Sequence, residues 1–226
     1  MPRAIPKLTL VIDRVLYRTR PAERHGQPVD GTGSPEEQPQ PVSLVDEAIA
    51  GGVSLVQLRY GASQGDGLEA FAIAQRLREI TRDRVPFVVT DDLHLAEKCH
   101  ADGVLLTSEH SYHPNAVRAY IRSTSALVGC FVRSVRGASR AERGGADYVQ
   151  VGPVFGPDGD SGIALLRKVH DAIHLPIVAF GGIATSERVR IAIDAGASGI
   201  AVSEPILAAD DPRAVAALFA EALGAA

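Results

Sequence analysis

Short runs of β-branched and apolar residues alternate, from residue 42 onward, with longer segments of helical period, and this alternation constrains the fold more than any other feature. Counting a first run near the N-terminus, the strand-like segments are Thr9–Ile12, Val53–Leu58, Phe87–Thr90, Gly103–Leu106, Ala126–Cys130, Tyr148–Val151, Ile177–Phe180 and Gly199–Val202. Segments with helical period follow them at 43–51, 67–81, 92–100, 114–123, 136–144, 162–172, 186–195 and 212–223. Eight strand-helix units in 226 residues predict an α/β protein, a single (β/α)8 TIM barrel spanning residues 1–226.

The punctuation agrees. Gly51-Gly52, Gly144-Gly145 and Gly196 stand where helices must stop, as C-terminal glycines do because they accept left-handed backbone angles. The chain then continues as GGV, GGADYV and AGASGIAV, one helix-to-strand turn used repeatedly, which argues for a repeat-built barrel over two unrelated domains. Residues 16–42, ending in the Pro-, Gly- and Gln-rich GQPVDGTGSPEEQPQPV, read as a flexible insertion between the first strand and the first helix. It falls at the barrel end that carries active sites, as a solvated loop or as a lid.

Composition narrows the function classes. An apolar content of 46% fills a core, and a net charge of −4 without basic surplus excludes a nucleic-acid partner. Cys99 and Cys130, the two cysteines, make neither a disulfide framework nor a cysteine zinc site and suit a reducing compartment. The run LTLVI is too short for a signal peptide or a membrane span, so a cytoplasmic protein without a membrane partner is expected. Basic side chains are arginine except for Lys7, Lys98 and Lys168, so lysine-dependent chemistry has few candidates.

In such a barrel the chemistry comes from the carboxyl ends of the strands and the loops after them. Three of those loops, VGPVFG, FGGIATS and AVSEPI after the sixth, seventh and eighth strands, are small or glycine-rich. Phosphate needs converging N–H donors with no Cβ in the way, and glycine supplies both, so these loops, with Gly181-Gly182 foremost, are candidate phosphate contacts. The competing reading of Gly181-Gly182 is a tight turn. Gln57 and Arg59, two apart on one strand, point to one face and suit an anionic or heteroaromatic ligand, with a rim salt bridge as the alternative for Arg59. Asp91 could bind Mg²⁺ or act as a base, but Asp91-Asp92 also makes an N-cap for the third helix, and capping is the expectation for Asp91 by itself. His25, His94, His100, His113, His170 and His174 fall on helix or linker positions and are expected at the surface. His110, in LLTSEH just past the fourth strand, is either a general acid or base or a loop histidine.

GGVSLVQLR, TDDLHLAEKCHADGV, GGADYVQVGPVF and LPIVAFGGIATSERVRIAIDAGASGIAV, in this order and spacing, resemble the thiamine phosphate synthase and thiazole tautomerase superfamily over nearly the whole chain except residues 16–42. The resemblance implies the eight-stranded barrel and a synthase reaction that joins a pyrimidine diphosphate to a thiazole phosphate with Mg²⁺, through a carbocation-like pyrimidine. It implies Gln57 and Arg59 on the diphosphate substrate, Asp91 as magnesium ligand, and Gly152, Gly181, Gly182, Val202 and Ser203 on the thiazole phosphate. No organic cofactor is implied, and a homodimer is left open. The diphosphate half departs from the family pattern: Gly61 and Gly159 stand at lysine positions, Thr90 at an asparagine, His110 at the second acidic ligand and Phe131 at a serine. Arg133 stands where the tautomerase branch has its catalytic histidine. If the chain isomerises a thiazole instead of coupling it, Glu109, His110 and Glu204 are the candidate proton carriers, with Cys130 a weaker one because it is expected to pack in the barrel. A third alternative is a barrel that binds a phosphorylated ligand without turnover.

Overall fold

The computed structural model describes residues 5–13, 41–60, 67–107, 113–121, 123, 125–156 and 161–224. Its strands are β1 (Leu8–Asp13), β2 (Leu55–Arg59), β3 (Phe87–Thr90), β4 (Gly103–Leu106), β5 (Leu127–Val132), β6 (Tyr148–Val151), β7 (Ile177–Phe180) and β8 (Gly199–Val202). All pair in parallel with their sequence neighbours, and β1 pairs with β8 through Leu8↔Ile200, Thr9↔Ala201 and Leu10↔Val202, so the sheet closes into the expected barrel. The helices among the described residues are α1 (Pro41–Ala50), α2 (Gly67–Thr81), α3 (Leu93–Lys98), α4 (Pro114–Tyr120), α5 (Val135–Arg143), α6 (Ser161–His170), α7 (Ser186–Asp194), α8 (Glu204–Leu207) and α9 (Pro212–Gly224).

Alternation along each strand sorts side chains between two cores. One face of every strand sends Leu10, Ile12, Val56, Leu58, Phe87, Val89, Val104 and their counterparts outward against the helices. The other face sends Val11, Leu55, Val88, Leu105, Leu127, Tyr148, Val178 and Ala201 into the barrel. The inner space is finite, and Gly129 shows it: a Cβ there would lie 2.7 Å from Cε1 of Tyr148. Glycine on β5 thus makes room for an aromatic ring on β6.

The repeated helix-to-strand turn has a repeated polar anchor at the amino end of the barrel. Asp102, just before β4, accepts from the N–H of Phe87 (2.8 Å) and from Arg78 of α2 (2.7 Å). Asp147, just before β6, accepts from the N–H of Val128 (2.7 Å) and from Arg118 of α4 (2.6 Å), which also donates to the carbonyls of Ala126 and Gly145. Ser54, before β2, accepts from the N–H of Leu8. In each case a side chain beside a strand start ties the preceding strand, satisfying an edge donor that a shorter ladder leaves open.

Several expected boundaries move. Pro41 and Val42, assigned to the insertion, open α1; the rest of that insertion lies outside the described residues. β2 starts at Leu55, two residues late, and runs through Arg59, while β5 reaches Val132, because pairing with the neighbouring strand continues to those residues. α8 was not expected: four residues after β8 are too short to show a helical period. Cys130, expected inside the barrel, is on the outward face of β5 between Val128 and Val132 and packs toward the helix layer. His94, His100, His113, His170 and His174 are exposed as expected, and His25 lies outside the described residues.

The hydroxyls of Tyr148 and Thr9 are buried without hydrogen-bond partners among the described residues, and burial pushes the Tyr148 phenol well above its ordinary value. A neutral phenol in the fold and an ionisable one in the unfolded chain give a stability contribution that is complete below pH ~10 and is lost as pH rises above it. Tyr148→Phe should therefore raise stability at pH 7 by about 1 kcal/mol, by removing an unpartnered hydroxyl, and should flatten the alkaline loss. Urea unfolding at pH 7 and at pH 10.5 or so checks both.

Candidate active site

The carboxyl ends of the strands gather the predicted residues at one mouth. Gln57, buried in the barrel, donates from Nε2 to Oγ1 of Thr90 on β3 at 3.1 Å, which sets its amide between two strands. Arg59, the last residue of β2, stands opposite Asp13 in the parallel register and donates from Nε (2.9 Å) and Nη2 (2.6 Å) to Oδ2 of Asp13. The rim salt bridge is therefore real. It engages one edge of the guanidinium, and the same group lies 5.6 Å from the centroid of Phe180 on β7.

Asp91 follows β3 in a left-handed conformation, φ 59°, which costs a non-glycine residue energy but which aspartate tolerates better than most. It does not cap the next helix; Asp92 does, accepting from the N–H of Leu95 at 2.8 Å. The positive φ sends the Asp91 carboxylate sideways to β4, where Oδ1 accepts from the N–H of Thr107 (2.7 Å) and Oδ2 from the Thr107 hydroxyl. Asp91 is thus an exposed, oriented carboxylate at the mouth.

Across from β2, Phe131 of β5 and Phe180 of β7 meet edge to face, centroids 6.1 Å apart and planes at 83°, and both pack on the interior cluster. Arg133, just past β5, lies 5.3 Å from the centroid of Phe131. A third stack, Arg188 of α7 over Phe155 at 5.1 Å, stands beside the glycine turn.

That turn is Gly181-Gly182, at φ 95° and 70°, both in the region that glycine enters freely. It is seated on the loop after β6: Val154 N–H donates to Phe180 O (2.9 Å) and Phe155 N–H to Gly181 O (3.1 Å). A Cβ on Gly181 would lie 2.8 Å from Cβ of Pro153, one on Gly182 2.8 Å from Cβ of Phe155, and one on Gly152 2.5 Å from Phe180 O. The three glycines therefore permit a close approach of two loops; turn and cup are one structure. Arg188 Nη1 donates to Gly182 O at 2.6 Å and holds its carbonyl back toward α7. The N–H groups of Gly182, Ile183 and Ser203 appear in no hydrogen bond of the described residues, so they remain as donors at the mouth. Ser203 spends its hydroxyl on Val11 O (2.6 Å), and the Val202 side chain is buried in the outer core, so both offer only main-chain groups. Glu204 opens α8 at the same rim, exposed.

Glu109, His110, Gly61 and Gly159 lie outside the described residues. Sequence reading missed Asp13, Thr107 and Arg188. Asp13 was legible only through the register that sets it against Arg59, and Thr107 only through the positive φ of Asp91. Arg188 carried no signal, being one arginine in an exposed helical turn.

A closed parallel barrel with its arginines, glycine turn and oriented carboxylate gathered at the carboxyl end defines a TIM-barrel protein of the kind that receives its ligands there. The model of the thiamine monophosphate synthase family matches residues 32–206. A thiamine-phosphate synthase of Bacillus velezensis is 35% identical over 198 residues, 84% of this chain and 87% of that protein. One from Natronomonas pharaonis is 38% identical over 189 residues, 80% and 86% of the two chains. A solved thiamine phosphate pyrophosphorylase from Pyrococcus furiosus superposes with a TM-score of 0.75 at 28% identity, covering 97% of this chain and 96% of its own. The chain belongs to the thiamine monophosphate synthase family, a family of thiamine biosynthesis.

Gly182→Ala should lower stability by roughly 1–3 kcal/mol, since it combines a positive φ with a collision against the Phe155 backbone. Gly156→Ala, where an added Cβ meets nothing within 4 Å, is the matched control and should leave the melting temperature unchanged. Thermal unfolding of the two variants checks this.

Proposed function

We propose that this chain joins a pyrimidine diphosphate to a thiazole phosphate, forming thiamine phosphate, at the carboxyl-end mouth of the barrel. The observation that carries this reading is the opposition of two half-sites: Gln57, Arg59 and Asp91 at the ends of β2 and β3, and the glycine turn with Ser203 just after β7 and β8. The second half-site suits the thiazole phosphate, whose oxygens would accept from the N–H groups of Gly182, Ile183 and Ser203. The first suits the diphosphate, with the free edge of Arg59 as donor and Gln57 below it holding the ring. Breaking the bond from the pyrimidine methylene carbon to the diphosphate oxygen leaves a carbocation-like centre, which the thiazole nitrogen attacks as the diphosphate departs. The edge-to-face pair Phe131 and Phe180 stands at this mouth, and its π-electrons would favour the positive charge that develops there.

Asp91 would hold Mg²⁺. This ion binds through one or two carboxylates plus substrate phosphates more often than in an all-protein cage, and an oriented carboxylate fits that mode. Among the described residues no group of three or more His, Cys, Asp or Glu forms a cage. When bound, the ion neutralises charge on the leaving diphosphate.

Incubation of purified protein with both substrates and Mg²⁺ should yield thiamine phosphate, and Arg59→Ala should lower kcat/KM roughly ten- to hundredfold, the worth of a charge-assisted contact. No product from the unsubstituted protein overturns the proposal. Interconversion of thiazole phosphate isomers would then identify a tautomerase working through Glu109, His110 or Glu204, and binding of thiazole phosphate without turnover a non-catalytic barrel.

A further inference from the structure

Arg133 entered as the counterpart of a catalytic histidine, but arginine stays protonated in proteins and cannot take up a proton as a general base. Its placement says something else. Along β5 the inward positions are Leu127, Gly129 and Phe131, the first and last of which pack on the interior cluster, and Arg133 follows just past the end of the strand, at the mouth. Stacking on Phe131 holds its guanidinium above that ring. The edge-to-face contact of Phe131 with Phe180, which carries Arg59, places the two guanidiniums on either side of one aromatic pair.

The charges of the mouth arginines are not equally committed. Arg59 is ion-paired with Asp13, and Arg188 is hydrogen-bonded to the Gly182 carbonyl beside the glycine turn. Arg133 makes no hydrogen bond or ion pair with the described residues. The three lysines cannot supply the missing charge from the mouth: Lys7 precedes β1, at the opposite end, and Lys98 and Lys168 lie in the last turns of α3 and α6. A diphosphate carries more negative charge than one half-neutralised arginine can balance.

We propose that Arg133 is a diphosphate-binding residue of this site, contacting the leaving diphosphate from the β5 side opposite Arg59. The inference rests on the coupling reading above and names a residue that does the work of an absent lysine. The planar fork of arginine matches phosphate oxygens, and the stack on Phe131 restricts it before the ligand arrives.

The test separates the two proposals. Binding of inorganic pyrophosphate with Mg²⁺ is measured by calorimetry for the unsubstituted protein, R133A and R133K, alongside KM for each substrate. We expect pyrophosphate affinity to fall about tenfold or more in R133A, KM for the pyrimidine diphosphate to rise by a similar factor, KM for the thiazole phosphate to stay unchanged, and R133K to recover part of the loss. A merely structural arginine would move both KM values or neither, and R133K serves if R133A does not fold. Equal pyrophosphate binding by R133A and the unsubstituted protein overturns the assignment, as does absence of pyrophosphate binding by the unsubstituted protein. Pyrophosphate binding that depends on Arg133, in a protein that forms no thiamine phosphate, upholds Arg133 and overturns the coupling reaction.

Discussion

Closure of the sheet, through the pairing of β1 with β8, is the constraint from which the rest follows. Once the strands form a ring, every strand has neighbours on both sides, no edge remains to be covered, and the interior becomes a fixed volume. That volume must be filled by alternate residues of every strand, with large side chains set against small ones. Tyr148 against Gly129 is the clearest case. The same closure makes an inward residue at the end of any strand a neighbour of inward residues from distant parts of the chain. Ser203 thereby reaches the carbonyl of Val11, 192 residues away.

The two ends of the barrel use this geometry differently. At the amino end, Asp102, Asp147 and Ser54 tie strands and helices together with hydrogen bonds that are internally satisfied. At the carboxyl end, donors and charges are left over: the N–H groups of the glycine turn, the free edge of Arg59, and Arg133. Stability is concentrated where nothing has to bind. The mouth is still not loose, because its cations rest on aromatic rings and its glycine turn is seated on the loop after β6. Groups held in place before a ligand arrives lose less freedom when it binds.

Much of this was legible in the chain. The fold was readable because eight strand-helix periods and a reused turn are local patterns that depend on few residues each. The position of the candidate site was readable because the ends of the strands were known. Asp91 was misread because Asp-Asp before a helix is ambiguous: only backbone angles decide that Asp92 caps while Asp91 turns toward Thr107. Arg59 carried two readings, and the parallel register that sets it against Asp13 chose the salt bridge without removing the arginine from the mouth. Cys130 was placed inside because an apolar run by itself does not say which of its two alternating faces looks into the barrel; Cys130 shares the outward face with Val128 and Val132.

The sequence by itself determined the barrel, the end of it that carries the site, and the family resemblance, because periodicity and short motifs are encoded in neighbouring residues. Only the tertiary structure decided which groups at that end are committed and which are free. Gly181 and Gly182 are needed for the approach of one loop to another as well as for the donors they expose, and Arg133 is set apart from Arg59 and Arg188 by what each touches. Those distinctions arise from contacts between residues far apart in the chain, made only when the ring of strands closes.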